Sequence, residues 1–343
     1  MWSERTVLYF SHPASLNHDP RAFSPEHPDT PERIQAVEAA MEAVDWLGCE
    51  RRLAPAATEA DLALVHSWVL IDRVKALCLD GGGKLDDDTF VGELSYRAAL
   101  HAAGGACSMV RSLLAGEAQA AFCGMRPSGH HADRSRSMGF CLFNNVAIAA
   151  ELAIRELGLS RVMIVDWDVH HGNGTADIFR DRKDVTFASI HQRNLYPFTG
   201  AISDVGSGEG LGYTVNIPVP AGSGEEIWCS ALEHLVVPIA LDFRPELVLI
   251  SAGFDAHRAD PLADCQLEAS SFAQMACHMR DAAAELGVPV GAVLEGGYDT
   301  DACAESVLAT VAALGGTGVA DSIAPDQLIT PRAASYIGHF WEL

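Results

Sequence analysis

Asp166, Asp168 and His170 stand at i, i+2 and i+4 in VMIVDWDVHHGNGT. On an extended segment that spacing projects all three side chains from one face. Two carboxylates converging on an imidazole repel one another unless a cation lies between them, so the pattern points to a metal ion. Asp255, in SAGFDAH, can supply a third donor. An Asp/His/Asp set leaves an open position for water, as catalytic zinc sites do, and no cysteine stands by to close it. Taken singly, Asp168 or His170 reads as a helix cap or a satisfied core group; jointly they are costly to bury unpaired. A tandem pair, His130 and His131, lies in the glycine-bearing stretch RPSGHHADRSRSMGFCLFNN, where imidazole suits general acid and base work near neutral pH. Tyr298, between Gly297 and Asp299, can donate to a developing oxyanion.

These residues stand where strands should end. Short β-branched runs at 6–10, 162–168, 185–191, 213–219, 246–253 and 289–297 alternate with helix-period stretches near 31–46, 93–115, 144–158, 224–241, 268–286 and 301–314. Strands apolar on both faces, alternating with helices, predict an α/β fold whose central, mostly parallel sheet carries helices on both faces. Chemistry in such sheets gathers at the carboxyl edge. Four runs end there in polar or titratable residues, at DWDVHH, His191, FDAH and EGGYD. No repeat or linker divides the chain, so residues 1–343 read as one domain. Asp86 to Asp88 read as a solvated loop.

At 49% hydrophobic and 20% charged over 343 residues, the chain is too apolar for general disorder. Its net charge of −23 repels phosphate backbones and anionic lipid, so neither nucleic acid nor a membrane surface is an expected partner. Nine cysteines without a CxxC pair form neither a disulfide framework nor a zinc knuckle, and read as reduced, buried small hydrophobes. MWSERTVLYF lacks the features of a secretory leader, and no apolar run is long enough to span a bilayer, which reads as cytoplasmic. The composition is equally compatible with a monomer and a homo-oligomer.

RPSGHHA (126–132), GFCLFNN (139–145), VDWDVHHGNGT (165–175), SAGFDAH (251–257) and LEGGY (294–298), in this order, resemble the zinc-dependent histone deacetylase family and its bacterial acetylpolyamine amidohydrolase relatives. EGGY and Asn173 look more like the class II branch than class I. The likeness runs from HPDTPERI (27–34) onward and implies the single-domain arginase/deacetylase fold. It implies one zinc ion on Asp168, His170 and Asp255, His131 as general base and later acid, and His130 as its electrostatic companion. Asp166 would orient His130 and Asn173 would orient His131, a neutral amide standing where class I members carry aspartate. Tyr298 matches the catalytic tyrosine. Phe140 and Tyr196 match the aromatics of the acyl-lysine tunnel, the second usually a phenylalanine, and Gly139 would offer backbone to the substrate. Arg33 resembles the arginine at the floor of the pocket where acetate leaves; its alternative is a salt bridge on the first helix. Potassium is implied through Asp166, Asp168, His170, Ser189 and Ile190, with a second site involving Phe179, Arg182, Val185 and Tyr213.

The implied substrate is acetyl-lysine in a peptide or protein, because Leu262, after Asp260-Pro261, is apolar where polyamine-preferring members tend to carry an acid. Asp86, Asp87 and Asp88 lie where the rim loop belongs and could hold a backbone amide or an ammonium, which keeps acetylated polyamine as the alternative. An arginase-like binuclear manganese hydrolase would need bridging carboxylates, yet His170 is followed by His171, Gly172 and Asn173. A silent acyl-lysine binder has no use for His130, His131 and Tyr298 as a proton relay. No GxSxG elbow is present, and GSGEGLG (206–212) leads into a strand rather than a helix.

Overall fold

The structure, a computed structural model, describes residues 6–343; the first five residues of the MWSERTVLYF stretch lie outside the described residues. Its strands are β1 Leu8–Ser11, β2 Glu50–Leu53, β3 Gly82–Lys84, β4 Phe90–Gly92, β5 Ala120–Cys123, β6 Val162–Asp166, β7 Val185–Gln192, β8 Thr214–Val219, β9 Leu247–Ala252 and β10 Val290–Leu294. Its helices are α1 Glu32–Ala43, α2 Glu59–Leu62, α3 Trp68–Leu79, α4 Ser95–Leu114, α5 Asn145–Arg155, α6 Asn173–Phe179, α7 Glu225–Ala231, α8 Val237–Phe243, α9 Ala269–Leu286, α10 Thr300–Leu314 and α11 Ile329–Ile337. None is long and apolar enough to cross a membrane.

Eight strands form one sheet in the order β2-β1-β5-β10-β9-β6-β7-β8, and every neighbouring pair is parallel. The strand period of two sends alternate residues into two cores. Along β6, Val162 and Ile164 join the core beneath α3, α4 and α5, while Met163 and Val165 join the one beneath α1, α9 and α10. Leu247 and Leu249 of β9 oppose Val248 and Ile250 in the same way. Both faces of these central strands are therefore dry, as their continuous apolar runs require.

The strand order positions the chemistry. β5, β10, β9 and β6 lie side by side, so the segments leaving their carboxyl ends emerge together although they are far apart in sequence. The sheet carries two strands not anticipated from the sequence. β2, ERRL, is an edge strand whose side chains are largely exposed, so no apolar run marks it; its backbone pairing with β1 holds it. β5, AAFC, is too short and alanine-rich to announce itself and takes its identity from β1 and β10 on either side. The β3–β4 hairpin and helices α2, α3, α6 and α11 are likewise additions. The helix expected over 224–241 is divided by a π turn, Leu232–Val236, just before Pro238, whose missing amide breaks the regular hydrogen-bond ladder.

Gly104 on α4 presses against the 55–57 loop so closely that a Cβ there would run into the Pro55 carbonyl and the Ala57 amide. Gly104→Ala is expected to destabilise the fold by about 1–3 kcal/mol, read as a lower denaturant midpoint at unchanged slope.

Candidate active site

Asp168 and Asp255 are fully buried and His170 nearly so. His170 Nδ1 lies 3.1 Å from Asp168 Oδ1 and 3.0 Å from Asp255 Oδ2. The remaining carboxylate oxygens are spoken for: Asp255 Oδ1 accepts from the Val169 amide at 2.8 Å, and Asp168 Oδ2 from the Gly296 amide at 2.8 Å. A Cβ on Gly253 or Gly296 would land on these carboxylates, so glycine lets the β9 and β10 loops close over them. Burial disfavours charge on His170, yet Asp255 and Asp168 push its ring up to about 10. Burial and then Asp168 raise the Asp255 carboxyl to about 7. Two buried carboxylates thus share one imidazole and call for a further positive charge. Donor atoms of all three residues lie within 4.8 Å of one another, which fits a single divalent ion.

Beside them stand the tandem histidines, with ring centroids 4.0 Å apart. His130 Nδ1–H donates to Asp166 Oδ2 at 3.0 Å, and His131 Nδ1–H to Asn173 Oδ1 at 2.7 Å. Burial opposes charge on both rings. Around His130 the carboxylates of Asp168, Asp166 and Glu295 overcome it and hold the ring well above the ordinary histidine range. His131 faces an amide and two neighbouring rings, and burial with His130 and His170 pushes it well below that range. The pair is split into one cation and one neutral base.

His131, His170, Tyr298, Gly139, Phe140, Tyr196, Leu262 and Asp88 line one cavity of about 210 Å³, joined by Leu195, which the sequence did not single out. Phe140 meets Tyr298 edge-on at 5.6 Å and Tyr196 meets His131 edge-on at 5.3 Å. Burial holds the Tyr298 phenol well above its usual range, so it stays a donor. Gly139 and Phe140 both have left-handed backbone, φ +57 and +65, which for phenylalanine costs about 1–3 kcal/mol. The Gly139 amide donates to Asp88 Oδ1 and the Phe140 amide to Thr89 Oγ1, both at 3.0 Å, and these bonds clamp the turn.

Two expectations are corrected here. The solvated-loop reading of Asp86 to Asp88 holds for Asp87 alone; Asp86 binds Arg136 at 2.6 Å and Asp88 holds Gly139, whose N–H is thereby unavailable to a substrate. Arg33 does not line the cavity. Its guanidinium is fully buried behind the Tyr298 ring, 4.7 Å from its centroid, and binds Asp29 at 2.7 Å and the carbonyls of Glu295 and Gly297. The salt bridge offered as the alternative is present, to Asp29.

Ser189 pairs across the sheet with Asp166, and Ile190 follows it. Its hydroxyl donates to His191 Nδ1 at 2.9 Å, since His191 Nε2–H is committed to the Gly200 carbonyl at 2.9 Å. Both lone pairs of Ser189 Oγ are left for a hard cation. At the second expected site the Phe179 and Tyr213 carbonyls already accept from the Arg182 and Phe187 amides, and the Arg182 side chain turns to Asp184 and Glu151.

Two buried acids were missed. Glu295 binds the Gly129 and His130 amides, and Asp260 Oδ2 accepts from the Tyr298 amide at 2.6 Å. Glu295 stood inside the LEGGY motif and Asp260 three residues past SAGFDAH, but the partners of Glu295 lie 165 and 166 residues away and no local pattern names them.

A parallel sheet presenting a buried Asp/His/Asp set, a polarised histidine pair and a phenol around one tunnel has the arrangement of an amidohydrolase. The model of the histone deacetylase domain matches residues 27–314, and the chain belongs to that family of deacetylases. It is 40% identical over 280 residues to a histone deacetylase-like amidohydrolase of Pseudomonas aeruginosa, covering 80% of this chain and 72% of that one. It is 37% identical to histone deacetylase 10, chloroplastic, of Oryza sativa subsp. japonica, over 89% of this chain and 72% of the relative. Polyamine deacetylase HDAC10 of Homo sapiens is 38% identical over 82% of this chain and 44% of its own length. The crystal structure of the HDA15 HD domain superposes with a TM-score of 0.91 at 33% identity, covering 99% of this chain and 96% of that one.

In the metal-free protein His131 is expected to titrate below 6.5 and His130 above it, and Asn173→Asp should move His131 upward, since a carboxylate at Nδ1 favours the charged ring. Histidine ¹⁵N NMR checks both; a His131 midpoint at or above that of His130 contradicts the assignment.

Proposed function

We propose that this deacetylase is a zinc-dependent hydrolase of the N-acetyl amide of lysine side chains in a peptide or protein. The observation that carries the reading is the convergence of the Asp168, His170 and Asp255 donors with the neutral His131 and the Tyr298 phenol. Asp168, His170 and Asp255 would hold one zinc ion, which when bound polarises an acyl carbonyl and lowers the pKa of water towards ~7. His131, with Nδ1–H committed to Asn173, keeps Nε2 as its basic nitrogen. That nitrogen takes the proton of the attacking water and later gives it to the leaving amine. The charged His130, kept so by Asp166, discourages a second proton on its neighbour until charge has developed. Tyr298 donates its hydroxyl hydrogen to the tetrahedral oxyanion. Phe140, Tyr196 and Leu195 give the aliphatic stem of lysine an apolar sleeve. Asp166, Ser189 and Ile190, with carbonyls of Asp168 and His170, would hold potassium, whose charge offsets the buried carboxylates.

Apolar Leu262 at the mouth, and the pairing of Asp86 with Arg136 and Asp87 with Lys84, support a peptide over a free polycation. The net charge of −23 and the human polyamine-deacetylase relative favour the second reading, acetylated polyamine. Residues 1–343 act in this proposal as one catalytic domain, supported by a sheet that draws strands from residue 8 to residue 294. A cytoplasmic setting agrees with nine unpaired thiols, eight of them buried and Cys49 partly so.

Side-by-side rates on an acetyl-lysine peptide and an N-acetylated polyamine test the substrate, with kcat/KM expected to be higher for the peptide; the reverse order overturns that half of the proposal. Tyr298→Phe is expected to keep its zinc and lose about 10²–10³ in kcat. Asp168→Ala is expected to lose the metal, and stoichiometric zinc by elemental analysis in that variant would contradict the ligand set.

A further inference from the structure

Glu295 is a fully buried carboxylate for which the mechanism above has no task. It follows β10 and reaches two other segments at once. Oε2 accepts from the Gly129 amide at 2.7 Å and the His130 amide at 3.1 Å, while Oε1 accepts from the Ser251 hydroxyl on β9 at 3.1 Å. Its backbone carbonyl accepts from the Ser128 hydroxyl at 3.0 Å. Residues 128, 129 and 130 are therefore each tied to this one side chain or its backbone. No lysine or arginine contacts the carboxylate; its hydrogen bonds come from N–H and O–H dipoles, the N–H groups belonging to the tandem-histidine loop, and the charged His130 ring offsets its burial.

Asp166 and Asn173 orient the two imidazole rings through the Nδ1 of each, and Glu295 acts on the main chain instead. The geometry points to Glu295 as a positioning residue: anchored on Ser251, it fixes the main chain from which the His130 and His131 rings hang, and so sets the reach of His131 to the reacting atoms. The inference rests on His131 acting as the base. Glu295 does not line the tunnel, so its loss acts on the chemical step and leaves substrate binding alone. Misplacement of a catalytic group by about 1 Å can cost about 10²-fold in rate.

Two variants of the full chain separate position from charge. Glu295→Met keeps the bulk and offers no acceptor. Glu295→Gln keeps an oxygen for the two amides and an amide hydrogen that can donate to Ser251 Oγ. On an acetyl-lysine peptide, Glu295→Met is expected to lose about 10²-fold in kcat with KM within about twofold, and Glu295→Gln to stay within about fivefold of wild type. Wild-type kcat in Glu295→Met, or equal losses in both variants, overturns the assignment. Should Glu295→Met fail to fold, Ser251→Ala decides alone, since it removes one tether and leaves the carboxylate in place. It is expected to lower kcat about fivefold at fixed KM, the effect of one hydrogen bond; an unchanged kcat, or a shift of the same size in KM, overturns the assignment. His131→Ala, run in parallel, separates the two ideas. Full activity there removes the base itself, whereas loss there beside an active Glu295→Met removes only the role of Glu295.

Discussion

Buried negative charge is the constraint on which the rest of this structure depends. Asp29, Asp166, Asp168, Asp255, Asp260 and Glu295 are all nine-tenths or more buried, and an isolated carboxylate cannot be carried into a low-dielectric interior without compensation. The answers differ. Asp29 is met by the guanidinium groups of Arg33 and Arg126, themselves fully buried. Glu295 and Asp260 are met by backbone amides, and Asp166 by a charged His130. Asp255 has an amide on one oxygen and Asp168 an amide on each, and a single imidazole stands between them. The deficit is confined to that one place, beside the tunnel floor, where a divalent cation would remove it.

Arranging so many acids without Arg or Lys at each requires backbone N–H groups in quantity, and the fold supplies them. At the carboxyl edge of a parallel sheet the chain leaves the ladder, so amides just past the last paired residue are free to turn towards side chains. The amides of Asp168, Val169, His170, Gly296 and Tyr298 are used in this way. Glycine at 253 and 296 lets these loops approach carboxylates at distances a side chain would forbid. Because β5, β10, β9 and β6 are neighbours, four such loops meet in one volume. The site is thus a property of the strand order as much as of the residues.

That division explains what could be read in advance. Asp168, His170 and Asp255 were legible because their spacing and their strand-end setting are local, and β6, β9 and β10 were legible because both their faces are apolar. β2 and β5 were not, since their identity lies in pairing with β1 and not in their own residue types. Asp88 and Thr89 fix the Gly139–Phe140 turn from 51 residues away, so a run of three acids looked like solvated surface. Arg33 was assigned to the pocket floor by likeness alone; its hydrogen bonds to the backbone after β10 could be seen only in three dimensions.

The two histidines show how far small differences in surroundings can carry. They are adjacent in sequence, equally buried, and each donates through Nδ1 to one oxygen. A carboxylate waits at His130 and an amide at His131, and the further charges of Asp168 and Glu295 fall mainly on the first. The preference for a proton is therefore settled by which element each ring faces, β6 for one and the start of α6 for the other. A carboxylate at 173 would favour the charged ring and weaken His131 as a resting base. Asn173 holds the ring in the same tautomer and orientation while adding no charge, which keeps the base neutral at the moment water must be deprotonated.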